Sequence, residues 1–342
     1  MKSFSKPSLT RHLRVAFMGS DPIALPFLRA AQAQMSGQMQ WVLVFTQPDR
    51  RTGRGLKTQP NEIKVWAQEA GIPVRQPEKC GDADVDALRK ARVDVVIVMA
   101  YGQILRRALL ESVPLGVLNF HGSLLPQLRG ASPIQTALAE GFTETGISLM
   151  RLVPKMDAGP VADREIVPIT AETDHFSLRE ALGGACVALW ARAIQALCGP
   201  GLRFLEQDQT AVTYCRRLRK EDAYLDFRLP ATVLERRIRA FRPWPGALVR
   251  HQGLDLRVGG ARVLDGDGGQ SPGEPGTVEI TGGAPTIACS RGWLRLESLQ
   301  RPGGRLLPAA DFLRGYPIEE GSRLEMLEAM PLVGKEPFGW TA

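Results

Sequence analysis

The chain has 342 residues, 44% of them apolar and 23% charged, which is ordinary for a folded globular protein and excludes a disordered, collagenous or coiled-coil one. At ~100–200 residues per domain, that length predicts two domains or one large one. The formal net charge is +7, and between Arg216 and Arg250 ten basic residues face four acidic ones, so this short segment carries most of it. No window approaches the ~18 uninterrupted apolar residues of a membrane helix, which argues against an integral membrane protein. The five cysteines are scattered and contain no C-x-x-C, so neither a disulfide scaffold nor a zinc site is expected. A reducing, cytoplasmic setting fits them.

In chain order, residues 1–14 form a basic extension with Lys2, Lys6, Arg11 and Arg14 but no apolar run of signal-peptide length. Leu13 to Gly19 and Trp41 to Thr46 are short apolar runs that predict buried strands, with helical spacing between Pro22 and Gln34. A polar loop from Gln47 to Pro60 precedes a helix over Glu62 to Ala70 and a short strand over Ile72 to Val74. Val93 to Ala100 is the strongest buried-strand pattern, followed by Val117 to His121 and Ile147 to Val153. A long helix over Phe176 to Leu197 stops at Cys198-Gly-Pro-Gly. Near-continuously apolar strands alternating with helices predict an α/β fold, a Rossmann-like, mostly parallel sheet covered on both faces.

After about residue 205 the pattern changes. Residues 206–223 are polar and basic, as in a linker. One amphipathic helix over Ala231 to Phe241 follows, then short runs at Ala247 to His251, Leu254 to Val258, Gly276 to Ile280, Thr286 to Cys289 and Trp293 to Leu299. Their glycine and proline turns predict a small antiparallel β-barrel. The expected organisation is therefore an extension (1–14), an α/β domain (15–205), a linker (206–223) and a barrel domain (224–342).

A nucleotide site is disfavoured, because the first strand ends Met18-Gly19-Ser20-Asp21-Pro22 and neither G-x-G-x-x-G nor a P-loop occurs. Ligands bind such sheets at the carboxyl ends of the strands. There, Asn119 and His121 stand at i and i+2 and point to one face. An amide donor beside an imidazole suits a reaction that builds charge on a carbonyl oxygen and moves a proton. A strand-end histidine capped by hydrogen bonds is the bland alternative. Asp157, in the turn Lys155-Met156-Asp157-Ala158-Gly159, reaches the same edge and either orients or deprotonates the imidazole; a plain turn aspartate is the alternative. The loop Gln47 to Pro60 carries Arg50, Arg51, Arg54 and Lys57, which suits phosphate contacts or a solvated loop.

The stretch from Val96 to Pro160 resembles the formyltransferases that use 10-formyltetrahydrofolate, through NFHGSLLP, RGASPI, ETG and MDAGP in that order. The loop FTQPDRRTGRG, the segment RRLRKEDAYLDF and the segment IRAFRPWPGA resemble members that act on methionyl-tRNA. The resemblance implies that 15–205 is a Rossmann-like catalytic domain and 224–342 an OB-like tRNA-binding barrel, and that Asn119, His121 and Asp157 form the catalytic trio. It implies a folate site lined by Ser123, Leu124, Leu125 and Pro126 and by backbone at Tyr101, Gly102, Gln103, Ile104 and Leu105, with Leu125–Pro126 a candidate cis bond. It implies that Arg54 reaches the acceptor stem of initiator methionyl-tRNA, and that Arg50, Arg51, Lys57, Arg216, Arg217, Arg219 and Lys220 hold tRNA. The co-substrate is 10-formyltetrahydrofolate; no metal and no membrane partner are expected, and the chain is expected to act as a monomer. Three departures stand out: Ser20-Asp21-Pro22-Ile23-Ala24 for Thr-Pro-x-Phe-Ala, Leu128 for an aromatic residue, and Arg217 for lysine. A sugar-nucleotide formyltransferase, a folate hydrolase and a non-catalytic RNA-binding module are the alternatives.

Overall fold

The computed structural model describes residues 12–52, 57–264 and 273–338, without the side chains of residues 51, 52 and 57. The chain divides into two compact units. The first comprises residues up to 129, 146–167 and 179–212; the second comprises 130–145, 168–178 and 213 onward.

The first unit is built on a seven-stranded sheet. Its strands are β1 (Leu13–Gly19), β2 (Met39–Phe45), β5 (Val74–Arg75), β6 (Val95–Met99), β7 (Val117–His121), β9 (Glu144–Arg151) and β10 (Val161–Pro168), in the order β10-β9-β7-β6-β1-β2-β5. A small antiparallel hairpin, β3 (Arg50–Thr52) and β4 (Lys57–Gln59), and the short β8 (Arg129–Gly130) lie outside it. The pairs β1/β2, β1/β6, β2/β5 and β6/β7 are parallel, whereas β7/β9 is antiparallel. The expected mostly parallel sheet is thus present, with an antiparallel element beside β7 that apolar patterning alone did not distinguish.

Both sheet faces are covered, which is why the strands read as continuous apolar runs. On β1, Ala16 and Met18 join Leu43, Phe45, Val96, Val98, Leu88 and Leu109 in one core. On the opposite face, alternate residues supply an edge-to-face aromatic cluster in which Phe27 meets Trp41, Phe120 and Trp190. Along the chain the helices are α1 (Leu25–Gln34), α2 (Glu62–Glu69), α3 (Asp82–Lys90), the single-turn α4 (Arg107–Leu110), α5 (Pro133–Ala139), which belongs to the second unit, and α6 (His175–Cys198). By length and composition α6 is the one described helix that could cross a membrane, but half of its apolar window is buried, with Leu182, Leu189, Trp190 and Ile194 in the core.

In the second unit, β11 (Tyr214–Cys215), α7 (Ala231–Ala240), β12 (Leu248–His251), β13 (Leu254–Leu264), β14 (Val278–Thr281), β15 (Ala284–Ala288), β16 (Trp293–Gln300), β17 (Leu307–Pro308), α8 (Ala309–Gly315) and β18 (Val333–Gly334) follow. The order β12-β13-β16-β15-β14 forms an antiparallel half-barrel, with β17 added on β16. Strand β13 runs six residues further than the apolar pattern predicts. It passes Gly259-Gly260 through a register shift, and a side chain at Gly259 would collide with Ser298 and Leu306. The half-barrel's open side is spanned by residues 322–325. Glu325 N–H donates to the Arg250 carbonyl (2.9 Å), Leu324 N–H to Gly276 (3.0 Å), and Val278 N–H to Ser322 (2.9 Å). Leu324 enters the same core as Phe227, Leu256 and Leu296.

Candidate active site

Strand β7 ends where expected, with Phe120 turned into the aromatic core and the half-buried Asn119 and the buried His121 on the other side. His121 Nε2–H donates to the Leu128 carbonyl (2.9 Å). A carbonyl only accepts, so this bond puts a proton on Nε2 and leaves Nδ1 to face the site. His121 Nδ1 lies 3.7 Å from Asp157 Oδ2. That exceeds a direct hydrogen bond of roughly 2.7–3.2 Å, so the pair is close enough to interact without being closed on itself. Both side chains are largely buried, at 6% and 15% exposure.

Asp157 is reached by a tightly folded loop. Arg151 N–H donates to the Pro160 carbonyl (3.0 Å), pinning the loop's return to β9. A Cβ on Gly159 would stand 1.9 Å from the Arg151 carbonyl, so only glycine fits there. Ala100, Leu128 and Asp157, all non-glycine, adopt left-handed backbone (φ +48°, +54° and +46°). Such residues persist where their surroundings hold them, and they gather at functional sites.

The folate-lining expectation divides into residues with free surface and residues already committed. Ser123 is buried, and its hydroxyl donates to the Gln127 carbonyl (2.6 Å). Leu125 packs with Met150 and Val161, its carbonyl accepts from Arg164 Nε (3.0 Å), and the Leu125–Pro126 bond is cis. Leu124 and Pro126 keep partial exposure. Tyr101 is buried against Cys80 (Oη to Sγ 3.2 Å), and that burial pushes its hydroxyl pKa up. Leu105 lies in the core, Gln103 is tied to Pro77 and Cys80, and Gly102 and Ile104 are exposed. Gln47 Nε2 donates to the Tyr101 carbonyl (2.9 Å), joining this loop to the root of the basic one. A cleft of about 440 Å3 lies at the other end of β7, lined by Leu110, Leu115, Gly116, Arg151 and Leu152. It is ~16 Å of strand away from His121 and includes none of these residues.

Of the basic residues, Arg50 is exposed near Glu78, the side chains of Arg51 and Lys57 are not described, and Arg54 lies outside the described residues. Arg217, Arg219 and Lys220 are exposed. Arg216 is buried and paired with Asp222 (2.5 Å), and it also donates to the Met330 and Pro331 carbonyls. Arg237 is buried as well, and Arg228, Arg239 and Arg250 pair with Asp226, Glu235 and Asp255. Four of the segment's ten basic residues are thus paired with carboxylates.

Three residues at the site carried no expected role. Ser148, opposite His121 on β9, donates to the Ser123 carbonyl (2.7 Å) and accepts from Leu125 N–H (3.0 Å), which shapes the turn. Arg129 is fully buried and donates through Nε (3.1 Å) and Nη2 (2.8 Å) to Gln207 Oε1. Gln207 Nε2 in turn donates to the carbonyls of Asp157 (2.8 Å) and Gly159 (2.7 Å). The one available signal was Arg129 inside RGASPI, since a buried arginine demands partners. Among the described residues no three His, Cys, Asp or Glu side chains cluster to hold a metal ion.

An amide and an imidazole on one strand end, with a carboxylate across from them, are groups of the kind that acyl transfer to a nucleophile uses. The chain belongs to the formyl transferase family: residues 13–192 match the formyl transferase family and 217–317 its C-terminal domain. It is 40% identical over 319 residues to a methionyl-tRNA formyltransferase of Acidithiobacillus ferrooxidans, covering 92% of this chain and all of that one. It is 38% identical over 312 residues to a methionyl-tRNA formyltransferase of Magnetococcus marinus, covering 91% and 98%. In fold it is similar to an N-formyltransferase from Helicobacter canadensis solved with folinic acid and dTDP-3-aminofucose (TM-score 0.62, 15% identity, covering 83% of this chain and 98% of that one).

Proposed function

We propose that this chain transfers the formyl group of 10-formyltetrahydrofolate to the α-amine of the methionine carried by initiator methionyl-tRNA, giving N-formylmethionyl-tRNA. The observation that carries the reading is the approach of His121 Nδ1 to Asp157 at 3.7 Å, at the end of a strand that also presents Asn119. The match over the full length of methionyl-tRNA formyltransferases supports that acceptor over an amino-sugar nucleotide.

In this reading the amine attacks the formyl carbon, and the carbonyl electrons move to oxygen. Asn119 donates a hydrogen bond to that oxygen, a contribution worth a factor of ~100–1,000. Because Nε2 is committed to Leu128, His121 acts through Nδ1: as the imidazolium it donates to the same oxygen, or it relays to the departing N10 the proton that Asp157 takes from the amine. Asp157 orients the imidazole and accepts the proton the amine loses, which ends on N10 of the tetrahydrofolate product. Proton transfer of this kind is worth ~100–10,000-fold. Gly102, Ile104, Leu124 and Pro126 offer exposed backbone and apolar surface that fits a flat heterocycle. Arg50, Arg51, Arg54, Lys57, Arg217, Arg219 and Lys220 hold the tRNA backbone. Arg216 is not retained in this role, because its guanidinium is already held by Asp222 and by carbonyls. Residues 15–205 serve as the catalytic domain, 206–223 as the linker and 224–342 as the tRNA-binding domain, and the chain works in the cytoplasm as a monomer.

The test is incubation of the protein with 10-formyltetrahydrofolate and either methionyl-tRNA or an amino-sugar nucleotide, followed by mass detection. A formyl group on methionine is the expected result. Transfer only to the sugar, or to neither, overturns the reading.

A further inference from the structure

We propose that Arg129 and Gln207 are positioning residues for formyl transfer, setting the separation of His121 and Asp157 through the backbone on either side of the pair. The inference rests on the proposed function. His121 and Asp157 belong to different segments, and the 3.7 Å between Nδ1 and Oδ2 is too long for a hydrogen bond to lock one to the other. What holds each backbone therefore contributes to their spacing.

On one side, His121 Nε2–H is fixed to the Leu128 carbonyl, and Leu128 itself is held in left-handed backbone (φ +54°). The next residue, Arg129, is fully buried and grips Gln207 Oε1 with two donors. On the other side, Gln207 Nε2 reaches the carbonyls of both Asp157 and Gly159. Bonding the carbonyls at i and i+2 braces the turn that keeps Asp157 left-handed (φ +46°). A continuous path thus runs from imidazole to carboxylate backbone, within buried side chains where hydrogen bonds are strong and misalignment is costly.

Only an uncharged amide completes this path. Its oxygen faces the cationic guanidinium and its two N–H groups face the two carbonyls. Glutamate at the same position would satisfy Arg129 as an ion pair yet turn a lone pair on each carbonyl. The substitution Gln207→Glu therefore separates the two jobs: the buried arginine keeps a partner, while the Asp157 turn loses its brace.

The experiment compares wild type, Gln207→Glu and Arg129→Lys by steady-state kinetics on both substrates across pH, with thermal melting of each. In Gln207→Glu, kcat should fall ~10- to 100-fold, because a displacement near 1 Å costs about that much. KM for donor and acceptor should stay within about threefold, and the pH–rate profile should change shape. Arg129→Lys retains the buried charge and one donor, so it should show the same pattern at ~3- to 10-fold. A kcat within twofold of wild type in both variants overturns the inference. So does a loss with an unchanged pH profile that merely follows the melting temperature. If Gln207→Glu fails to fold, the Arg129→Lys result decides by the same criteria. Absence of formyl transfer in the wild type refutes the function itself and is read separately.

Discussion

Replacing Gly159 with alanine tests how tightly the Asp157 loop is closed. The new methyl carbon would lie 1.9 Å from the Arg151 carbonyl oxygen, 3.0 Å from its carbon and 3.3 Å from Met150 Cε. Carbon–oxygen approaches of this kind begin at ~3.3 Å, so loop and strand must part by about 1.4 Å. The clash is between backbones, and no flexible side chain can yield. Parting the segments stretches the Arg151–Pro160 hydrogen bond, 3.0 Å in the intact loop, beyond bonding range. Breaking that bond costs about 1 kcal/mol and the overpacking ~1–3 kcal/mol, which lowers the melting temperature by ~5–15 °C. Asp157 lies two residues upstream, so the shift also reaches the site, and kcat should drop ~10- to 100-fold. Differential scanning fluorimetry and single-turnover formylation at a temperature where the variant is fully folded separate the two effects. A variant with a melting temperature within about 2 °C of wild type and turnover within twofold would refute the steric argument.

The substitution His121→Ala should lower turnover at least ~1,000-fold while methionyl-tRNA binding stays near normal; near-normal turnover would remove His121 from the mechanism. Affinity for tRNA should fall steeply with salt, and Arg217, Arg219 and Lys220, each replaced by alanine, should flatten the log–log slope by about one unit for each phosphate no longer held. Filter binding at several ionic strengths measures this, and a salt-independent affinity would exclude a phosphate-reading surface. In the second unit, burial alone would push the Asp226 carboxyl up, but hydrogen bonds from Arg228 and Ala329 N–H hold it below the usual carboxylate value. A depressed native pKa contributes stability above the unfolded value near ~3.9 and loses it as pH falls through the native one. The variant Asp226→Asn should therefore be less stable by ~2 kcal/mol at pH 7, with the deficit shrinking below about pH 4. Urea titrations at pH 7 and pH 3 that show the same deficit would contradict this.

How much was legible in the sequence follows from what each feature depends on. Strand β7 matched its predicted span because an apolar run ending in a glycine turn is a local signal. The proposed trio lies in local motifs too, and His121 Nδ1 and Asp157 Oδ2 stand 3.7 Å apart. The brace behind them could not be read, because Arg129 and Gln207 are 78 residues apart and Gln207 sits in a stretch that reads as a polar linker. Arg216 shows the converse. Counted by composition it is one of ten charges available to a polyanion, but the carbonyls of Met330 and Pro331 that hold it come from 114 and 115 residues away. Likewise, apolar patterning reports that β9 is buried and says nothing about its direction beside β7.

The strap of residues 322–325 comes after every strand it joins, which orders the assembly of the second unit. During synthesis β12 and β14 emerge early and must wait, with one edge of backbone donors and acceptors unsatisfied, until Leu324 and its neighbours arrive. The first unit's sheet, whose seven strands all precede residue 169, is under no such constraint. Nascent chains arrested before residue 322 should therefore carry a protease-resistant first unit and a sticky, cleavable second one.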